Sequence, residues 1–495
     1  MSIAEKLRRA DFQAYLVGGC VRDLLLARRS LGEGGLNKKP EDWDIATSAK
    51  PEQIQRIFST FAKATADKPA TIYENQFGTV GVKTKSKDSS LEIVEITTYR
   101  LEGKYTDKRH PDEIKFAKNI EEDLNRRDFT INAMAMTING EIIDPYEGKK
   151  DLENKIIRAV GEPEKRFNED ALRMIRAVRF AVKFNFTIEK KTSEAIEKHS
   201  ALIEVIAKER IRDEVIKIIM ASEASRGIVL LEKLGLLKYV LPELRNGIGV
   251  KQNLHHIYEV FEHHIRALDY AAKQNYSLEV RLAALLHDLG KPKTKQGEGY
   301  DATFHGHEMM SAKMTARALE RLCFPKEIIE KVIHLVRYHM FYYNVGEVSE
   351  AGVRRFLARV GPENVDDLLK LREADRIGSG TPKAVPYKNR HLLFMIEKVK
   401  HDPLSPKMLK VDGNDVMEIL KIPAGPKVGQ ILAILLDEVI DEPSKNTKEN
   451  LESKIKNLGK LTDKKLMESA KKAGERKDEF ESGIEEEMKK KYYVK

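Results

Sequence analysis

A chain of 495 residues exceeds what one hydrophobic core serves and predicts three or four domains. Charged side chains make up 33% and apolar ones 41%, which excludes a membrane protein, a collagen-like chain and a wholly disordered one. The formal net charge of +9, from 87 Lys+Arg against 78 Asp+Glu, permits a polyanionic partner without requiring one. From the N-terminus, Met1 to Ala10 carries charges where a secretory signal has its apolar centre, so export is not expected. Ala14 to Val17 reads as a strand entering Gly18-Gly19, with a helix behind it. Ala27 to Glu41 is polar and reads as an inserted mobile loop, as does Ala62 to Ala70. Asp42 to Asp44 opens a second short strand closed by Ile45, and Pro51 to Phe58 is a helix with Ser48 as its expected N-cap. Gly78 to Lys83 and Leu91 to Thr98 are β-branched and alternating, hence strands. After Asp151 strand signals nearly vanish. Glu169 to Val182, Lys190 to Leu202 and Glu209 to Met220 are amphipathic helices. The densely charged stretch Asp441 to Lys495 reads as a solvated helix or frayed tail. No run approaches the roughly 18 apolar residues of a membrane span. Two cysteines, Cys20 and Cys323, make a disulfide framework or thiolate zinc site improbable and fit a reducing cytoplasm. Oligomeric state has no signal here.

Four segments carry chemistry. The Gly18-Gly19 turn before a helix leaves backbone N–H groups open to phosphate oxygens, and Arg22 one turn on adds a charge-assisted contact. Asp42 and Asp44, two apart on a strand, point to one face, where repulsion calls for a cation; magnesium suits carboxylates plus substrate phosphates. Glu95, on the Leu91 to Thr98 strand, is a third candidate carboxylate. Arg126-Arg127-Asp128 precedes a half-apolar helix; its arginine forks suit phosphate and ribose oxygens, and Asp128 can accept from a ribose hydroxyl. Asn132 is a candidate support. In Glu169 to Phe180, Asp170 and Arg173 are three apart and share a helix face, continued by Arg176 and Arg179. Each segment has a bland reading as well: a plain turn, acids beside solvent, a capped helix, surface ion pairs.

The ordered set GGxVRD, DxD, RRDFTINA and EDxxRxxRAxRF resembles the class II tRNA nucleotidyltransferase family, the CCA-adding enzymes with their bacterial poly(A) polymerase relatives. The resemblance covers Ala14 to Met220. KERIRDE (Lys208 to Glu214) resembles the family's fifth motif, a neck helix supporting the pocket, and Ile96 to Pro111 its flexible loop. It implies an α+β fold: a polymerase-beta-like head, a small mixed sheet with helices, then an all-helical neck, body, HD domain and tail. It also implies that Gly18, Gly19 and Arg22 hold the triphosphate of CTP or ATP and that Asp42 and Asp44 hold Mg2+. Arg126, Arg127 and Asp128 then contact ribose and phosphates, Asp170 and Arg173 read the base, and Arg176 and Arg179 support them. The implied reaction is template-independent addition of C and A to the tRNA 3′ end. An A-adding or CC-adding enzyme and a poly(A) polymerase share every motif.

Residues 250–390 hold most histidines. His263, His287-Asp288 (in RLAALLHDLGKP) and Asp375 resemble the H…HD…D signature of the HD phosphohydrolase superfamily, with His307 and His339 as additional ligands. Imidazoles with carboxylates suit one or two divalent transition metals. His255, His256, His264 and His305 are expected bystanders. The resemblance implies hydrolysis of phosphoesters, including 2′,3′-cyclic phosphates. An HD phosphohydrolase with a degenerate head is the reading from another class. The expected division is 1–150 (head), 151–248 (neck and body), 249–395 (HD) and 396–495 (tail).

Overall fold

A computed structural model describes residues 3–30, 40, 42–59, 71–74, 78–84, 86–102, 114–252, 257–341, 343–381, 385 and 387–475. Outside the described residues lie most of the 27–41 insertion, all of 62–70, residues 103–113 of the expected flexible loop, His255, His256, and 476–495. The chain divides into two units, Met1–Pro242 and Glu243–Lys495.

In the first unit, short β-branched runs form β1 (Ala14–Val17), β2 (Asp44–Thr47), β3 (Thr71–Glu74), β4 (Thr79–Lys83), β5 (Ile93–Thr98), β6 (Arg100–Glu102), β7 (Ile114–Phe116), β8 (Ala135–Met136) and β9 (Ile142–Ile143). Seven make one mixed sheet in the order β3-β4-β5-β2-β1-β8-β9, while β6 and β7 pair separately. Only β2 and β5 run parallel within that sheet, and their register sets Asp44 beside Glu95. Alternation along β5 buries Val94 and Ile96 and leaves Glu95 on the opposite, exposed face. Val94 and Ile96 join Leu7, Ile45, Ile54 and Phe58 in a core, each such fully buried apolar side chain contributing ~1.5–3 kcal/mol. Val17, Ala46, Leu124 and Ala135 belong to a second cluster, so the sheet strands are anchored and their ends are free to carry chemistry.

Four local expectations are corrected. After Arg126-Arg127-Asp128 there is no half-apolar helix but one 3-10 turn, Thr130–Asn132, that leads into β8. Asp42 precedes β2, which begins at Asp44, so the two carboxylates do not alternate along one strand. Ser48 does not cap the Pro51–Ser59 helix; its Oγ accepts from the Gln13 N–H at 2.9 Å. The helix expected from Glu169 to Val182 is two helices, Pro163–Glu169 and Leu172–Lys183. Pro163 starts the first, and Asp170 ends it in extended backbone (φ −140°, ψ 104°), where its Oδ1 accepts from the Leu172 N–H at 3.0 Å. Lys208–Ile219 packs against Leu172–Lys183.

The second unit is helical. Val260–Lys273, Leu278–Leu286, His307–Arg321, Lys326–Tyr338 and Pro362–Gly378 carry the histidine cluster at their ends or on buried faces. The charged tail is not a lone solvated helix. Lys448–Gly459 and Asp463–Glu475 bury Leu451, Ile455, Leu458 and Leu466 against Ile431, Leu435 and Val439 of Pro426–Asp441. Charged residues occupy their outer faces, which is why composition alone read as solvated.

Candidate active site and metal centre

A cavity of about 1060 Å³ opens in the first unit. It gathers every head residue singled out from the sequence except Glu95: Gly18, Gly19 and Arg22; Asp42 and Asp44; Arg126, Arg127, Asp128 and Asn132; Asp170, Arg173, Arg176 and Arg179. These come from segments spread from Gly18 to Arg179, joined by the ends of β1 and β2 and by the Leu172–Lys183 helix.

The turn after β1 depends on glycine. Gly18 has φ +72°, and a Cβ there would lie 2.5 Å from Arg127 Nη1 and 3.8 Å from Asp44 Oδ2. The bare backbone thus passes between a cation and an anion as the Gly19–Ser30 helix begins. Asp44 is half-buried, and burial raises its carboxyl to about 6; Arg127 opposes the rise, while Glu95 and Asp42 add to it. Two carboxylates pressing on the Asp44 carboxyl invite a hard cation, and carboxylate oxygens are the donor set magnesium takes.

Behind them runs a chain of polar bonds. Arg22 is buried; it donates to Asn132 Oδ1 at 2.6 Å and to Asp23 at 2.8 Å, and lies 4.5 Å above the Phe184 ring. Asn132 donates to Asp128 Oδ1 at 3.0 Å, and Arg176 holds Asp128 Oδ2 through Nε at 2.9 Å and Nη2 at 2.5 Å. Burial alone would raise Asp128, but Arg176 and the Asn132 bond outweigh it and hold its carboxyl well below the usual range. Arg179 reaches Glu214 at 3.1 Å; burial and the neighbouring Arg176 bring it down to about 10.

Asp170 and Arg173 do not share a helix face, and the bland alternative, an ion pair between them, is not what the structure forms. Asp170 lies off the helix and pairs with Arg210 at 2.8 Å. Arg173 pairs with Glu169 at 2.7 Å and donates to the Arg126 carbonyl at 3.0 Å. Both still face the cavity. Four further cations line it: Arg100, Lys183, Arg210 and Lys217. Arg210 and Lys217 are seven apart on one helix, hence on one face, and Lys183 is one turn beyond Arg179; that spacing was the available signal.

In the second unit, His263, His287, Asp288 and Asp375 bring ligand atoms within 4.8 Å of one another, and Asp288, His307 and His339 form a second such group. Among the described residues these are the groups of that kind, so Asp42, Asp44 and Glu95 are looser. His263 Nε2 lies 2.9 Å from His287 Nε2 and 3.1 Å from Asp288 Oδ2; His307 Nε2 lies 3.2 Å and His339 Nε2 3.6 Å from Asp288 Oδ1. His287, His307 and His339 place Nδ1 at 3.0, 2.7 and 2.7 Å from the carbonyls of Ala284, Phe304 and Val336. Nδ1 is then the donor, and each Nε2 lone pair points inward as metal ligation requires. Asp288 serves both groups through different oxygens, the arrangement of a bridging ligand, so the residues fit one or two divalent ions. His264 is buried beside the cluster and His305 is exposed; neither belongs to a group.

Residues 14–158 match the poly A polymerase head domain, 185–248 the "probable RNA and SrmB-binding site of polymerase A", and 260–377 the HD domain. The CCA-adding enzyme of Lactococcus lactis is 33% identical over 458 residues, 92% of this chain and 96% of that protein. The A-adding tRNA nucleotidyltransferase of Deinococcus radiodurans is 35% identical over 339 residues, 66% of this chain and 76% of that one. With the Ligilactobacillus salivarius CCA-adding enzyme, 47% identity is confined to 228 residues, half of that protein. The crystal structure of the Bacillus stearothermophilus CCA-adding enzyme in complex with CTP is 29% identical, superposes with a TM-score of 0.65, and the match covers 92% of this chain and 95% of that one. Among the described residues no helix is long and apolar enough to cross a membrane.

Proposed function

The chain belongs to the class II tRNA nucleotidyltransferase family of CCA-adding enzymes, and from that premise we propose that it builds or repairs the tRNA 3′-terminal CCA from CTP and ATP, without a nucleic-acid template, in the cytoplasm. The observation that carries the proposal is one cavity in which Asp42 and Asp44 face the arginines while Asp170 and Arg173 stand in the same wall. Asp42 and Asp44, with Glu95 beside them, would hold magnesium, which when bound would supply charge neutralisation for the triphosphate and the departing pyrophosphate. The Gly18-Gly19 turn, Arg22, Arg126 and Arg127 orient the triphosphate so that the RNA 3′-hydroxyl meets the α-phosphorus in line. The hydrogen bonds to Asp128 support its holding Arg176 and Asn132 in place alongside any ribose contact. The Asp170 carboxylate accepts from the exocyclic amine of C or A, and the Arg173 guanidinium donates to the adjacent ring acceptor. U and G present the reverse order and leave a desolvated charge unpaired. Phosphate contacts dominate the grip on tRNA, so binding weakens with salt.

In the division 1–150, 151–248, 249–395 and 396–495, the first three parts are supported by the bounds of the three matched families and the fourth by the separate apolar core of the tail helices. The histidine centre supports a second activity, metal-dependent hydrolysis of phosphoesters such as 2′,3′-cyclic phosphates. The similarity to an A-adding enzyme favours the A-adding reading as the alternative. One experiment separates the nucleotide-addition readings. Purified protein, magnesium and each radiolabelled triphosphate in turn are offered to tRNA lacking CCA, ending in C, and ending in CC. Extension by up to three nucleotides with CTP and ATP is expected; A alone on the CC-ending tRNA, or a long ladder, replaces the proposal with an A-adding enzyme or a poly(A) polymerase. Arg173→Ala is expected to blur nucleotide choice, and unchanged selectivity counts against its role.

A further inference from the structure

Asp123 lies outside the cavity wall, in the last turn of the short Ile120–Asn125 helix, and its side chain is 1% exposed. Oδ1 accepts from Arg126 through Nε at 3.0 Å and Nη2 at 2.8 Å, and from the backbone N–H of Arg100 at 3.3 Å. Oδ2 accepts from Arg127 Nη2 at 3.3 Å. One buried carboxylate therefore fixes both arginines of the RRD segment and the first residue of β6. The other ends of those residues reach the rest of the site. Arg127 donates from Nη1 to the Asn132 carbonyl at 3.4 Å, and its Nη1 lies where a Cβ on Gly18 would be. The Arg126 carbonyl accepts from Arg173.

Resting on the reading above, we infer that Asp123 is a positioning residue for the nucleotidyl transfer: it sets the two arginines against the phosphate turn at Gly18 and ties them to Arg173 and to the β6 strand. The physical ground is that an arginine near a highly charged ligand is useful only if its fork is held in advance. A desolvated carboxylate with several charge-assisted hydrogen bonds does this with little loss of side-chain entropy on binding. Asp123 touches no substrate itself. Burial would raise its carboxyl, and Arg126 and Arg127 outweigh that and lower it, so it stays ionised as the clamp requires.

The test is Asp123→Asn, which keeps shape and one acceptor but removes the charge, with Arg127→Gln and the double variant. Binding of CTP with magnesium, and separately of cytidine, is measured by calorimetry on the full chain, along with Tm. CTP affinity is expected to fall roughly 10- to 100-fold in Asp123→Asn while cytidine affinity holds within about twofold. The double variant should lose no more than about the larger single loss, because Asp123 acts through the arginine. Where Asp123→Asn does not fold, Asp123→Glu, which keeps the charge, carries the same comparison, and the loss should be partial and confined to CTP. Equal loss of CTP and cytidine binding with a lowered Tm, additive losses in the double variant, or unchanged CTP affinity each overturn the inference. Failure of the wild-type protein to bind CTP overturns instead the reading on which it rests.

Discussion

Asp44 is the side chain on which the chemistry and the fold make opposing demands. Burial and two neighbouring acids lift its carboxyl to about 6, so the folded chain holds this proton more tightly than the unfolded one. The stability tied to the protonated form is present below the ordinary carboxylate value near 4 and is lost as pH rises toward 6. At pH 7.5 without divalent ions, Asp44→Asn should therefore raise Tm by roughly 2–4 °C, as about 1 kcal/mol does for a unit of this size, while abolishing nucleotide addition. Magnesium should raise the wild-type Tm more at pH 7.5 than at pH 5; a shift independent of pH, read by calorimetry, contradicts the assignment. Gly18 fails for another reason. Gly18→Ala puts a Cβ into the space of Arg127 Nη1 and forces an L-residue to φ +72°, a cost of about 1–2 kcal/mol. The KM for CTP should rise at least about tenfold, with Tm lowered by roughly 2–8 °C. Gly18 was legible in the sequence as a turn before a helix; that its turn faces an arginine 109 residues later was not, because that contact is made by β1 and β8 pairing.

Where elements end decided which of the spacing arguments survived. Three-residue spacing put Asp170 and Arg173 on one helix face, but Asp170 lies off that helix, at the end of the one that Pro163 begins. The break frees the Asp170 carboxylate from its own helix and lets Arg210 of Lys208–Ile219 take it. By contrast, Arg176 and Arg179, inside the helix, stand where periodicity puts them. Helix ends also make the histidine centre: His287 caps Leu278–Leu286, His307 starts its helix and His339 ends one, each Nδ1 bonded to a nearby carbonyl. Because Asp288 serves both groups, Asp288→Ala should strip the bound divalent metal almost completely, measured by mass spectrometry of the purified protein. His339→Ala should remove only one of two equivalents, and the CTP-dependent extension of tRNA should persist in both.

The two units divide the chemistry between them. Every residue lining the cavity of the candidate active site lies within Met1–Pro242, and both histidine–carboxylate groups lie within Glu243–Lys495. A chain ending at Pro242 should bind CTP with magnesium within about fivefold of the full chain and carry no transition metal; loss of CTP binding in a folded fragment contradicts this division. The tail helices have their own core, so Ile455→Asp, which buries a charge at a fully covered position, should lower the Tm of the second unit and leave the first unchanged. Much of this was readable beforehand. Residue types at short separations specify donors and acceptors, so Gly18-Gly19, Asp42/Asp44, the arginine stripe and the histidine–aspartate set stood out as candidates before any coordinates, and the fold gathers the first three in one cavity and the last in two tight groups. Partner choice is different, since it depends on distances between segments far apart in the chain. The sequence does not single out Asp123, and it offers Arg210 only within the Lys208 to Glu214 segment; folding buries the first under two arginines and sets the second against Asp170.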